Sequence, residues 1–85
     1  MMQDHEVYLH LGLLEAVPKS GSQRKAIMEF IRNLRVQPFT RGDFTDKDTA
    51  HRERQIKIVG DYAITYWLDA PAKIVMVVDI RPADV

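Results

Sequence analysis

The side chains that could do chemistry are concentrated late in this sequence: His51-Arg52-Glu53-Arg54, then Lys57, then Arg81. Brought together in space, these cations would form a small basic patch. Left apart, they are the solvated entrance of a strand with ordinary ion pairs. His5, His10 and His51 show no close ligand spacing of the His-x-x-x-His kind, so no metal site is expected. Asp43, Asp46 and Asp48 resemble a calcium loop only superficially, because the central Gly and the downstream bidentate Glu are misplaced. Period-two spacing puts Tyr62 and Tyr66 on one face of a strand, where they read as core, and Trp67 on the other, where it reads as an interface anchor. There is no Gly-rich phosphate loop, nucleophile elbow or paired-carboxylate motif, and no cofactor is expected.

Composition narrows the classes further. The 85 residues suit one domain spanning 1–85, and a chain of this size buries only roughly 60% of its unfolded surface. Apolar residues make up 46%, enough for a folded globule. Without cysteine there is neither a disulfide framework nor thiolate chemistry, which fits a cytoplasmic protein. The apolar runs are far shorter than the ~20 residues that span a bilayer, and the N-terminus lacks the features of a secretory signal. Twelve basic residues balance twelve acidic ones. That neutrality argues against strong generic nucleic-acid binding, because phosphate neutralisation needs a basic excess. It also removes repulsion that would oppose self-association.

Several elements can be read directly. Val7-Tyr8-Leu9-His10 is a short β-prone run. Leu11, Leu13, Leu14 and Val17 suit one or two helical turns closed by Pro18. Ser20 with Gln23 three residues later is a capping-box pattern. Beyond it Ile27, Phe30, Ile31 and Leu34 form one apolar stripe, which predicts a helix over Ser22–Val36. Residues Pro38 to Arg52 read as a loop, long for so small a chain.

Residues 55–82 are the most informative stretch. They read Gln-Ile-Lys-Ile-Val, Gly-Asp, Tyr-Ala-Ile-Thr-Tyr-Trp-Leu, Asp-Ala-Pro-Ala, then Lys-Ile-Val-Met-Val-Val-Asp-Ile-Arg-Pro. Three β-rich runs separated by two short breaks predict an antiparallel meander over Gln55–Val59, Tyr62–Leu68 and Lys73–Ile80. Gly60-Asp61 suits a type II′ turn, whose first central residue takes φ > 0. In the last run Ile74, Met76, Val78 and Ile80 alternate with Val75 and Val77, so both faces are apolar. Strict alternation assigns the first set to the helix. It leaves Trp67, Val75 and Val77 on the opposite face as a partner-binding surface.

A hairpin with Tyr just after its turn, then a final strand ending in a charged residue, resembles the C-terminal half of the RelE/ParE toxins of type II toxin–antitoxin (plasmid stabilisation) modules. The element order from Val7 to Pro82 is similar too. The resemblance implies an α+β fold, an antiparallel sheet of about four strands with one or two helices on one face. It also implies an antitoxin partner. In the RelE branch, understood to cut messenger RNA inside the ribosome without a metal, cations stabilise the phosphorane charge while a basic group takes the 2′-OH proton. By that resemblance Lys57 and Arg81 are candidate catalytic residues, and Arg54, from the charged cluster that could join them in a basic patch, completes the set. Ala63 stands where the family has Arg after the hairpin Tyr, Tyr62, and the sequence ends at Val85 without the family's C-terminal Tyr. The expected function is therefore a ParE-like or catalytically degenerate RelE-like component. The alternatives are an active ribosome-dependent endoribonuclease and a non-toxic dimeric binding protein. The ribosome with its messenger, DNA gyrase, or a second copy of the chain are the further candidate partners.

Overall fold

The computed structural model describes residues 4–83. Three strands form the expected meander: β3 Glu53–Val59, β4 Tyr62–Asp69 and β5 Ile74–Pro82. At the first turn Gly60 has φ +60, and Asp61 is not among the residues with positive φ, which defines a type II′ hairpin. Gln23 closes this turn from outside. Its Nε2 donates to the Val59 carbonyl at 2.9 Å and its Oε1 accepts from the Asp61 N–H at 3.1 Å. A side chain at position 60 would collide with it, since a Cβ there would lie 2.2 Å from Gln23 Oε1.

That use of Gln23 corrects the capping-box expectation. Ser20 is the N-cap of helix α1, Gly21–Asn33, but its side chain makes no cap bond. Gln23 serves the sheet instead. The helix starts and stops close to the predicted bounds, and Ile27, Ile31 and Leu34 beyond its end pack into the core as the stripe required. The run after His10 is a 3-10 segment, Leu11–Ala16, opened by His10 Nδ1 accepting from the Gly12 N–H at 3.0 Å. Leu13, Leu14 and Val17 pack on the same core as the helix.

The sheet has five strands rather than about four, in the order β1-β5-β4-β3-β2. Strand β1, Glu6–Leu9, pairs parallel with β5, so the sheet is mixed rather than wholly antiparallel. The extra strand is β2, Phe44–Lys47, which lies inside the segment read as a loop and pairs antiparallel with β3. Four residues rich in Asp, Thr and Lys carry no period-two apolar signal; they are held because β3 offers a free edge. The α+β class, with both helical elements on one face, holds.

One irregularity decides which side chains face inward. Thr65 pairs with Asp79 but Tyr66 pairs with Val77, leaving Val78 as an extra residue in β5. This β-bulge shifts the alternation by one position. Val75 (0% exposed), Val77 (2%) and Ile80 (3%) therefore share the core with Ile27, Ile31 and Leu34, while Val78 turns outward. The expectation that Val75 and Val77 lie opposite the helix is overturned. They are core residues, beyond reach of any partner, and Trp67 alone of that trio lies on the far face.

Candidate functional site: the open face of the sheet

With both helical elements on one side, no helix among the described residues covers the other. The strand register identifies what stands there. Tyr8 pairs with Met76, and Met76 with Trp67. Phe44 pairs with Ile56, and Ile56 with Thr65. Asp46 pairs with Arg54, and Ala63 with both Ile58 and Arg81. Asp46, Arg54, Ile56, Ala63, Thr65, Val78, Asp79 and Arg81 line one concavity of about 420 Å³.

Every arginine on this face is matched by an aspartate. Arg54 Nε donates to Asp46 Oδ1 and Nη2 to Oδ2, both at 2.8 Å, the two-pronged geometry that guanidinium and carboxylate favour. That hydrogen bond raises the Arg54 pKa further above its ordinary value. Arg81 Nε donates to the Asp79 carboxylate. Arg52 pairs with Asp48 at 3.1 Å, and its guanidinium lies 4.1 Å from the centroid of the Trp67 ring. Asp48 is held in turn by the backbone N–H groups of Ala50 and Arg52. The Arg52 hydrogen bond is the main reason its carboxyl titrates below the usual range.

The structure thus brings Arg54 and Arg81 into one concavity and excludes Lys57. Lys57 pairs in register with Ile64, a fully buried core residue, so it projects on the helical face, where its Nζ lies 3.6 Å from Asp43. Sequence reasoning passed over Asp46 and Asp79, the residues that neutralise the arginines. The role of Asp46 could not be read without β2, because it meets Arg54 only through the β2–β3 pairing; Asp79 stands two residues before Arg81 on the same strand, so its contact was open to a local reading.

A second cavity of about 250 Å³ opens on the helical side, between the Pro38–Arg41 segment and the ends of β3 and β4. At its floor Tyr66 is buried as expected, edge-on to Phe30 at 5.6 Å, and its hydroxyl donates to the Thr40 carbonyl at 2.9 Å. Burial, with help from the Asp43 charge, pushes its phenol up to about 12. An acid whose pKa is raised on folding stabilises the fold below its unfolded value, near 10, and loses that contribution as pH climbs towards the folded value. Between those limits the wild type should lose about 2–3 kcal/mol that a Tyr66→Phe variant does not lose. At neutral pH that variant costs about 1–2 kcal/mol, because the Thr40 carbonyl loses its donor. Urea midpoints of the two proteins at about pH 9 and about pH 11.5 check this. A gap between them that stays constant with pH would contradict it.

These features define a small α+β fold: a helix-backed mixed sheet whose far face is open. No known family profile matches the sequence, and no curated protein matches it. Among solved structures, it is similar to a chain of the archaeal RelE–RelB complex from Pyrococcus horikoshii OT3. The TM-score is 0.73 at 20% identity, with 95% of this chain and 97% of that one covered. The likeness in fold thus extends over nearly all of the described residues. No helix among the described residues is long and apolar enough to cross a membrane.

Proposed function

We propose that this chain is the toxin-like component of a type II toxin–antitoxin module, held by an antitoxin, and that it does not act as a nuclease. The observation that carries the first half is the likeness, over 95% of its length, to a chain solved within a RelE–RelB complex. The second half rests on the site. Lys57 is on the wrong face, Arg54 and Arg81 are each occupied by a carboxylate, and Ala63 puts a methyl group where a third cation would enter the concavity. Charge placed where the transition state develops its own is commonly worth a hundredfold or more in rate. A site with its cations neutralised supplies little of that. A ParE-like mode, acting on a protein target such as gyrase, asks nothing of these residues. Trp67, the aromatic anchor of the open face, is the side chain we place against the antitoxin.

Expressed without its antitoxin, the chain should arrest growth while messenger RNA stays intact, and co-expression of a small protein encoded beside it should restore growth. With purified translating ribosomes, no cleavage above background is expected. Ala63→Arg, which adds a guanidinium beside Arg81, should raise cleavage at least tenfold if the face retains a nuclease geometry. Wild-type cleavage at ribosome-dependent nuclease rates would overturn the non-catalytic reading. Absence of growth arrest with or without the neighbouring gene would overturn the toxin reading in favour of a binding protein.

A further inference from the structure

Strand β2 closes one side of the sheet, and its outer edge has no neighbouring strand among the described residues. Just past its end the Asp48 N–H donates to the Arg52 carbonyl. Hydrogen-bonded pairs alternate along an antiparallel ladder, so Asp46 and Phe44 use their backbone groups on β3 while Thr45 and Lys47 turn theirs outward. Such a row of unpaired groups is a template for another strand. Phe44 is 60% exposed beside it, and Lys47 has no ion-pair partner among the described residues. A lysine on an edge ordinarily discourages pairing. The residues of this edge reverse that for one occupant, a second copy of the same strand.

We propose that β2 pairs antiparallel with β2 of a second copy, about a two-fold axis through Thr45, so that the two sheets become one. Outward backbone groups must meet outward groups, which leaves only alternate registers, and side-chain charge chooses among them. A two-fold centred on Phe44 sets Lys47 towards Arg41 of the second copy; one centred on Asp46 opposes the two Asp46, and one centred on Lys47 opposes the two lysines. Like charges directly opposite are destabilising. Centred on Thr45, the pairing puts Lys47 opposite Asp43 of the second copy, and by symmetry does so twice. Both side chains are on the helical face: Asp43 reaches Lys57 at 3.6 Å, and Lys47 pairs with Glu53, which alternation places on the same face as Lys57. The two threonines exchange backbone hydrogen bonds. The exposed rings of Phe44 come diagonally across from each other, within the reach of aromatic side chains. This contact is isologous and closes at two copies, whereas β2 against β1 of another copy would not close. The balanced charge of the chain leaves no net repulsion to oppose it. Pairing at this edge leaves the open face uncovered and is independent of the toxin reading.

The strand has 4 residues, so the interface falls in the small, transient class, with a Kd on the order of 100 µM. Sedimentation velocity of the full chain should show mostly monomer at about 10 µM and mostly dimer at about 1 mM. Lys47→Glu makes both charge contacts repulsive and should weaken dimerisation about tenfold. Thr45→Pro removes an outward N–H at an edge position that tolerates proline, and should abolish the dimer. Matched urea midpoints verify that both variants remain folded. Disulfide trapping reads the register, because the chain has no cysteine of its own. Thr45→Cys lies on the axis, where paired Cα atoms are about 5.5 Å apart and can be bridged. Lys47→Cys puts its two thiols roughly 14 Å apart along the strands. At about 1 mM, Thr45→Cys should therefore cross-link at least tenfold faster than Lys47→Cys. A chain still monomeric at that concentration overturns the proposal, whatever strand a different protein might add at this edge. So does a mass that grows beyond the dimer, or cross-linking of Lys47→Cys as fast as Thr45→Cys. If Thr45→Pro does not fold, Lys47→Glu must still show the tenfold loss, and its absence overturns the proposal equally.

Discussion

Val75→Ser is expected to remove about 3–5 kcal/mol of stability, a large fraction of what a small domain has. Part of that is the transfer free energy of a side chain with no solvent exposure, and part is the cavity left among Ile27, Ile31 and Leu34. A buried hydroxyl without a partner adds about 1–3 kcal/mol. Domains of this size have a total of roughly 0.05–0.15 kcal/mol per residue to lose. Trp67→Ala, by contrast, removes a side chain from the open face and the Arg52 stack, the latter worth about 0.5–1 kcal/mol. Urea denaturation of the two variants separates the faces. A Val75→Ser protein as stable as Trp67→Ala would mean that the β5 bulge is misplaced and that Val75 faces outward.

The second large effect is expected at Gly42. A Cβ there would meet the backbone of Ile56, with the carbonyl oxygen at 2.5 Å and the nitrogen at 2.7 Å. Those atoms belong to β3 and cannot swing away as a side-chain tip can. Gly42 also donates its N–H to Gln55 Oε1 at 2.8 Å. Next to it, Asp43 donates to the Ile56 carbonyl and accepts from the Ile58 N–H. Gly42→Ala must push this whole segment off the sheet, at a cost of about 2–4 kcal/mol. Hydrogen exchange should show amides of Ile58 and Asp43 losing protection before those of β4. Wild-type protection at both positions would refute the close approach.

How much of this was legible in the sequence depended on the range of the interaction that settles each feature. The helix and the Gly60 turn are governed by neighbours within a few positions, and both appear where their patterns put them. Gln23 shows how a local pattern can mislead: its spacing from Ser20 is right for a cap, yet its amide is used 36 residues away on Val59. The bulge at Val78 has no Gly or Pro to announce it, and one unannounced residue was enough to exchange the faces of Val75 and Val77. Strand β2 is stabilised almost entirely by its partner, so its own residues say little. The candidate site shared that fate. Arg54 and Arg81 could be picked out by type, but their companionship in one concavity and the meeting of Asp46 with Arg54 follow from strand pairing, whereas Lys57 opposite Arg54 and Asp79 beside Arg81 follow from alternation within one strand.

The parallel pairing of β1 with β5 joins Glu6 to Ile74 and Leu9 to Val77, nearly the whole described length apart. Loop-closure entropy must be met before such contacts return anything, so this edge should form late in folding. During vectorial synthesis the first strand emerges long before its partner exists. Until β5 arrives, Val7 and Leu9 have no strand to pair with, and the nascent chain is open to any passing segment able to add at that edge. Slow codons late in the message would prolong this vulnerable interval, whereas a partner already engaged during translation would shorten it.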